Sequence, residues 1–168
     1  LLFCAAFYVF FDVPDWQKLD ISKLSALAQT SSMYDMNGEL MSELRGSENR
    51  IIVSLDEIPL HTRQAFIAAE DLRFYDHRGI DVYRILGALR SNLKSGSLAE
   101  GASTITQQLV KLSHLSSQKT IARKLEEIWL ALQLEQRFTK EEILEMYLNY
   151  IYFGDGAYGV QAAAQAVY

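Results

Sequence analysis

IARKLEEIWLALQLEQRFTKEEILEMYLNY, residues 121–150, is the stretch on which the fold class turns. Ile121, Leu125, Ile128, Trp129 and Leu132 recur at helical spacing and predict a helix from Ile121 to about Arg137 with that stripe as its buried face. Thr139 with Glu142 three residues later is a capping box, so a second helix begins at once and carries Ile143, Leu144, Tyr147 and Leu148. Helices of this kind in direct succession predict a mainly α domain.

Working outward toward the C-terminus, Gly154-Asp155-Gly156 breaks the second helix, and the alanine-rich run from Tyr158 to Tyr168 is helical in propensity. It reaches Tyr168 without a capping signal, which leads us to expect a domain truncated at that end. Toward the N-terminus, further helices are predicted from Ser103 to Leu112, from Ile80 to Leu93 through Val82, Ile85, Leu86 and Leu89, and from Pro59 to the Glu70-Asp71 pair. Lys94 to Gly101 reads as a loop. Asn37-Gly38 predicts a hairpin between Ser32 and Leu44, Ile51-Ile52-Val53 a further strand, and Ile21 to Ala28 a short helix.

The first eleven residues, LLFCAAFYVFF, carry no charge, and Asp12, Pro14 and Asp15 stop the run. A membrane span needs about 20 apolar residues, so the run is roughly half of one, and its aromatics suit the interface end of a helix. The expected organisation is therefore the end of a transmembrane anchor at 1–15, a linker helix and hairpin at 16–56, and the main domain at 57–168.

Composition narrows the function classes. The chain has 168 residues, 49% of them hydrophobic and 22% charged, with 2 Pro and 9 Gly, which excludes a disordered or collagen-like chain. A net charge of −5 argues against a global grip on nucleic acid, so any anionic ligand must be met by a local cluster. One cysteine, Cys4, allows neither an internal disulfide nor a cysteine-based metal site.

Three groups of residues carry chemistry. Glu70-Asp71, followed by Phe74, His77 and Gly79, is an acidic pair beside aromatic residues: either a solvated helix terminus or a carboxylate whose proton affinity suits a general base. In GASTITQQLVK a helix sets Thr104, Gln108 and Lys111 on one face, which is either a polar solvated surface or a surface for a polyhydroxylated sugar. Arg123, Lys124 and Glu127 are three and four residues apart: either an ordinary ion-pair face or, if another segment roofs it into a cleft, a cationic site with Lys111 suited to diphosphate.

Taken in order, EDLRFYDHRG, GASTITQQLVK, RKLEE, KEEILEMYLN and GAYGVQAAAQAVY resemble the peptidoglycan glycosyltransferases, the membrane-proximal domain of class A penicillin-binding proteins and of monofunctional transglycosylases. The resemblance runs from about Ser32 to Tyr168. It implies a lysozyme-like helical fold on the outer face of the bacterial cytoplasmic membrane, polymerising lipid II into β-1,4-linked glycan with release of undecaprenyl diphosphate. Glu70 is then the general base, and Glu127 assists or places the leaving diphosphate. Arg123, Lys124 and Lys111 neutralise the diphosphate, and Ser103, Thr104 and Gln108 hydrogen-bond sugar and diphosphate. Asp71, Phe74 and His77 shape the base's pocket. The resemblance also implies a divalent cation, Mg²⁺ or Mn²⁺, seated at Asp71 or on the diphosphate. Partners would be the growing glycan, the membrane and cell-division or elongation proteins.

An α-linked donor that yields a β bond is inverted, so by analogy with inverting glycosidases the two carboxylates should lie more than about 6 Å apart. Ser91-Asn92-Leu93-Lys94 and Ser116-Ser117-Gln118-Lys119 match the S-x-x-K acylation motif, but without its partner motifs or a sheet domain, so penicillin binding is not expected. Two rival functions are a lysozyme-like hydrolase, which has no use for the cationic trio, and a non-catalytic lipid II scaffold, which has no use for two carboxylates.

Overall fold

A computed structural model describes residues 19–25, 31–37, 39–44, 49–95, 102–115 and 120–167. Among these the chain is mainly helical. The order is α1 (Ile21–Ser25), β1 (Ser31–Tyr34), β2 (Leu40–Leu44), β3 (Asn49–Arg50), α2 (Leu60–Glu70), α3 (Val82–Ser95), α4 (Ile105–His114), α5 (Ile121–Arg137), α6 (Lys140–Tyr150), β4 (Tyr152–Gly154), β5 (Ala157–Tyr158) and α7 (Val160–Val167). Short 3-10 turns at Leu55–Glu57 and Phe74–Asp76 precede and follow α2.

The core sits where α4 packs on both α5 and α6. Ile105, Leu109 and Val110 of α4, Leu130, Ala131 and Leu134 of α5, and Ile143, Leu144 and Leu148 of α6 are wholly buried there. Each of these helices starts at a threonine whose hydroxyl takes an otherwise orphaned backbone N–H: Thr104 from Gln107, Thr120 from Arg123 and Thr139 from Glu142. The box predicted at Thr139 is closed from both sides, since Glu142 accepts from the Thr139 N–H at 2.7 Å.

β1 and β2 form the expected antiparallel hairpin, with an irregularity between Met33 and Tyr34. Its turn is held by Asp35, whose carboxylate accepts from the N–H groups of Asn37 and Glu39, both at 2.8 Å. A second sheet pairs β3 parallel to β5 and β5 antiparallel to β4. The turn at Gly154-Asp155-Gly156 takes positive φ at all three residues, which ends the helical path where the sequence indicated.

Three expectations change. Ile51-Ile52-Val53 is not a strand, because β3 ends at Arg50 and the backbone beyond it is taken by a side chain. Asn149 accepts from the Val53 N–H at 3.1 Å and donates to its carbonyl at 2.9 Å, so no neighbouring strand is needed. The buried face of α5 is not the predicted stripe: Ile121 is 83% exposed, Leu125, Ile128, Trp129 and Leu132 are only partly buried, and Glu127, Leu130, Ala131 and Leu134 point inward. Both faces carry apolar residues, and periodicity alone does not say which one meets α4. On α3 the helix is as expected but Val82 and Leu86 are more than half exposed, and it continues to Ser95, past the predicted start of the loop. α1 ends at Ser25.

The expected anchor at 1–15, the remainder of the 94–101 loop, Cys4 and the second S-x-x-K motif lie outside the described residues. Among the described residues no helix is long and apolar enough to cross a membrane.

Candidate active site

α2 ends at Glu70, and the chain turns sharply through Asp71, whose N–H still bonds the Ile67 carbonyl at 2.9 Å. Asp71 is 1% exposed and aims inward. Its carboxylate lies 2.9 Å from Nε2 of buried His77 and accepts from the Ile105 N–H, in the first turn of α4, at 3.0 Å. A carboxylate there meets the positive end of the helix and fixes the C-terminal end of α2 to the start of α4. Phe74 is also wholly buried, with its ring edge-on to Tyr75 and His77 and the Lys140 ammonium 4.5 Å above it. Asp71, Phe74 and His77 thus form one buried cluster at the C-terminal end of α2.

Glu70 itself is only partly buried. Gln108 of α4 donates to its Oε2 at 2.8 Å, and the Tyr147 hydroxyl of α6 lies 3.2 Å from the other end of that amide. Burial, and then the charge of Glu70, push the Tyr147 hydroxyl far above the ordinary tyrosine range. Arg84 of α3 donates to the Glu70 carbonyl and lies 3.5 Å from the Ser103 carbonyl, so one guanidinium spans the end of α2 and the approach to α4. Beside it a pocket of about 430 Å³ is lined by Ala68, Ala69, Leu72, Arg73, Tyr83 and Arg84, among others.

Across from this, Glu127 is 2% exposed on the inward face of α5. Its Oε1 is paired with Lys124 and its Oε2 with Arg123 at 3.3 Å. Lys124 donates onward to the Ser103 hydroxyl at 2.9 Å, and its side chain is 41% exposed. One carboxylate buried against two cations leaves a surplus positive charge directed at solvent, which suits an anion arriving from outside.

Thr104 is not on the ligand-facing side: it is fully buried, caps α4 and donates to the Gly79 carbonyl at 2.6 Å. Gly79 has φ +89°, and a Cβ there would stand 3.0 Å from the Ala131 carbonyl oxygen, so this close approach needs glycine. Lys111 is exposed and joins neither Arg123 nor Lys124 through a hydrogen bond among the described residues. Ser103, Lys124, Arg123 and Glu127 come together as one cluster, and Gln108 and Glu70 as another.

Asp71 does not fit a cation seat, since His77 and the Ile105 N–H occupy its carboxylate, and no cluster of three or more His, Cys, Asp or Glu able to hold a metal occurs among the described residues. Two contributors carried no signal in the sequence. Arg84 lies in an amphipathic helix without a motif, and Tyr147 reads as a core residue, its hydroxyl finding Gln108 only in three dimensions.

All of these residues lie within 37–168, the range matched by the family model described as Transglycosylase. The chain belongs to the transglycosylase family. This transglycosylase domain is 56% identical over 153 residues to penicillin-binding protein 1A/1B of Bacillus subtilis, covering 91% of this chain and 16% of that protein. It is 50% identical to penicillin-binding protein 1A of Escherichia coli K12, over 81% of this chain and 16% of that protein. With penicillin-binding protein 1A of Streptococcus pneumoniae R6 it is 48% identical, over 95% and 22%. The transglycosylase domain therefore spans less than a quarter of the length of these relatives.

Proposed function

We propose that the domain polymerises lipid II into β-1,4-linked peptidoglycan strands by an inverting displacement. The observation that carries this reading is the separation of the site into two electrostatically different halves joined by Arg84 and Ser103: a partly open carboxylate, Glu70, held by the neutral Gln108 amide, and a cationic cluster, Lys124 and Arg123, anchored on buried Glu127. A transferase with a diphosphate leaving group needs both. A glycan hydrolase needs only the first.

In the reaction, Glu70 takes the proton from the 4-hydroxyl of the acceptor sugar as that oxygen forms its bond to the anomeric carbon of the growing chain. The bond from that carbon to the diphosphate oxygen breaks on the opposite face, and undecaprenyl diphosphate leaves with the electron pair. Lys124 and Arg123 stabilise the charge that develops on it, and exposed Lys111 extends the positive field along α4. Glu127 keeps the two cations in place. Ser103, through its bond to Lys124, sets the height of that ammonium, and Gln108 orients the base. Single displacement requires the two carboxylates to stand more than about 6 Å apart to admit the acceptor hydroxyl. A divalent cation, Mg²⁺ or Mn²⁺, would travel with the diphosphate and screen its charge.

The lipid tail keeps the donor in the bilayer while its sugar enters the cleft, so the domain works at the outer face of the cytoplasmic membrane. The exposed apolar side chains of Leu72, Val82, Tyr83 and Leu86 supply a surface for that contact, and residues 1–15 the anchor. Division or elongation proteins would be its cellular partners.

The test is glycan-chain formation from labelled lipid II in detergent with Mg²⁺, comparing the wild type with Glu70→Gln. Polymer from the wild type and none from the variant supports the reading. Lipid II binding without polymer from either would replace it with a scaffold role, and lysis of purified cell wall would replace it with a hydrolase.

A further inference from the structure

The amide of Gln108 has a donor end and an acceptor end, and its two neighbours settle which faces which. An ionised carboxylate only accepts, so the Nε2 that lies 2.8 Å from Oε2 of Glu70 must be the NH₂ group. The opposite end, Oε1, then needs a donor, and the Tyr147 hydroxyl stands 3.2 Å from it. Among the described residues no other hydrogen bond reaches that oxygen. Tyr147 is itself held rigidly: it is buried in the core on α6, its helix begins at the closed Thr139–Glu142 box, and its carbonyl accepts the capping N–H of Ile151 at 3.1 Å.

We infer that Tyr147 is a positioning residue for Glu70, acting through Gln108: its hydroxyl holds the far end of the amide, so that the N–H end stays on the carboxylate. This rests on the reading of Glu70 as general base. Without that anchor the amide is free to swing out of the contact, and Glu70 loses its donor. The high proton affinity of the Tyr147 hydroxyl keeps it a donor throughout the working range. A residue that the helical pattern marks as plain core therefore holds in place the donor to a group on another helix.

The test follows the Gln108 amide and turnover together. In the full chain carrying ¹⁵N-labelled glutamine side chains, the Gln108 NH₂ resonance, identified by its loss in Gln108→Leu, is followed in the wild type and Tyr147→Phe. Tyr147→Phe keeps the ring that fills the core and removes only the hydroxyl. Hydrogen exchange of that NH₂ group is expected to quicken about tenfold in Tyr147→Phe, and kcat for lipid II polymerisation to fall by about the same factor with KM and the melting temperature unchanged, a split that a loss of packing alone would not produce. A double variant should lose no more kcat than Gln108→Leu, because both act through one amide.

A Gln108 NH₂ group that exchanges as slowly in Tyr147→Phe as in the wild type overturns the inference, as does a double variant whose loss in kcat is the product of the two. A wild type that makes no polymer while binding lipid II overturns the reading of Glu70 as a base, yet leaves the Gln108 exchange to decide the role of Tyr147. The two failures are thus distinct.

Discussion

Glu70 and Glu127 are both glutamates on helices facing the same site, yet their surroundings are opposite. Glu70 is partly exposed and meets a neutral amide, with its nearest guanidinium bonded to its backbone carbonyl rather than to its carboxylate. Glu127 is buried and gripped by two cations. A base must be free to exchange a proton, whereas an anchor for cations must stay ionised. The difference teaches that a carboxylate's role is set by which donors surround it and how much water reaches it.

The largest expected effect breaks the comparison at Glu70. Glu70→Gln should lower polymerisation by about 10³-fold, within the range for loss of a general base, with the melting temperature unchanged because the amide keeps the shape and the Gln108 contact lies at a partly open site. Lipid II turnover and a thermal scan check both halves. At Glu127 the same substitution should lower activity and stability together, since it leaves Arg123 and Lys124 without their shared counter-charge. Because those cations are partly exposed, the stability loss should be about 2 kcal/mol, below the range for a wholly buried pair. Denaturant unfolding measures it, and an unchanged midpoint would show that Glu127 is dispensable to the fold.

Gly79→Ala sharpens the comparison by disturbing the approach of the Gly79 loop to α5 without changing either carboxylate. Its positive φ and the 3.0 Å approach to Ala131 should cost about 1–3 kcal/mol, read as a fall in unfolding midpoint. Thr139→Ala, at a cap far from the reacting groups, should cost about 1 kcal/mol with polymerisation per folded molecule unaltered.

The smallest effect is a slope with pH. Because the folded protein raises the proton affinity of Tyr147, the stability this contributes is present below the ordinary tyrosine value of 10.0 and is lost as pH rises beyond it. Tyr147→Phe should lack that component of alkaline destabilisation, measured as the difference between the two unfolding curves.

Much of the fold was legible in the chain. The box at Thr139, the inward set Ile143, Leu144, Tyr147 and Leu148 and the break at Gly154-Asp155-Gly156 all appear where local chemistry put them, because caps, helical period and turn residues act over a few positions. The strand expected at Ile51–Val53 failed because its backbone is satisfied by Asn149, a partner no local pattern announces. The inward face of α5 was misassigned for a related reason: burying Glu127 is tolerable only once Arg123 and Lys124 fold over it and α4 covers the neighbouring leucines.

The ordered motifs by themselves determined the family, the helical class and which residue types gather at the site, since those depend on chemical identity and short-range spacing. Only the tertiary structure decided that Thr104 and Asp71 face inward as struts, that Arg84 ties the two halves together and that Tyr147 reaches Glu70 through Gln108. The physical reason is direction. A hydrogen bond works only along the line from donor to acceptor, and where a side chain points across helices distant in sequence is fixed by packing, not by the order of residues.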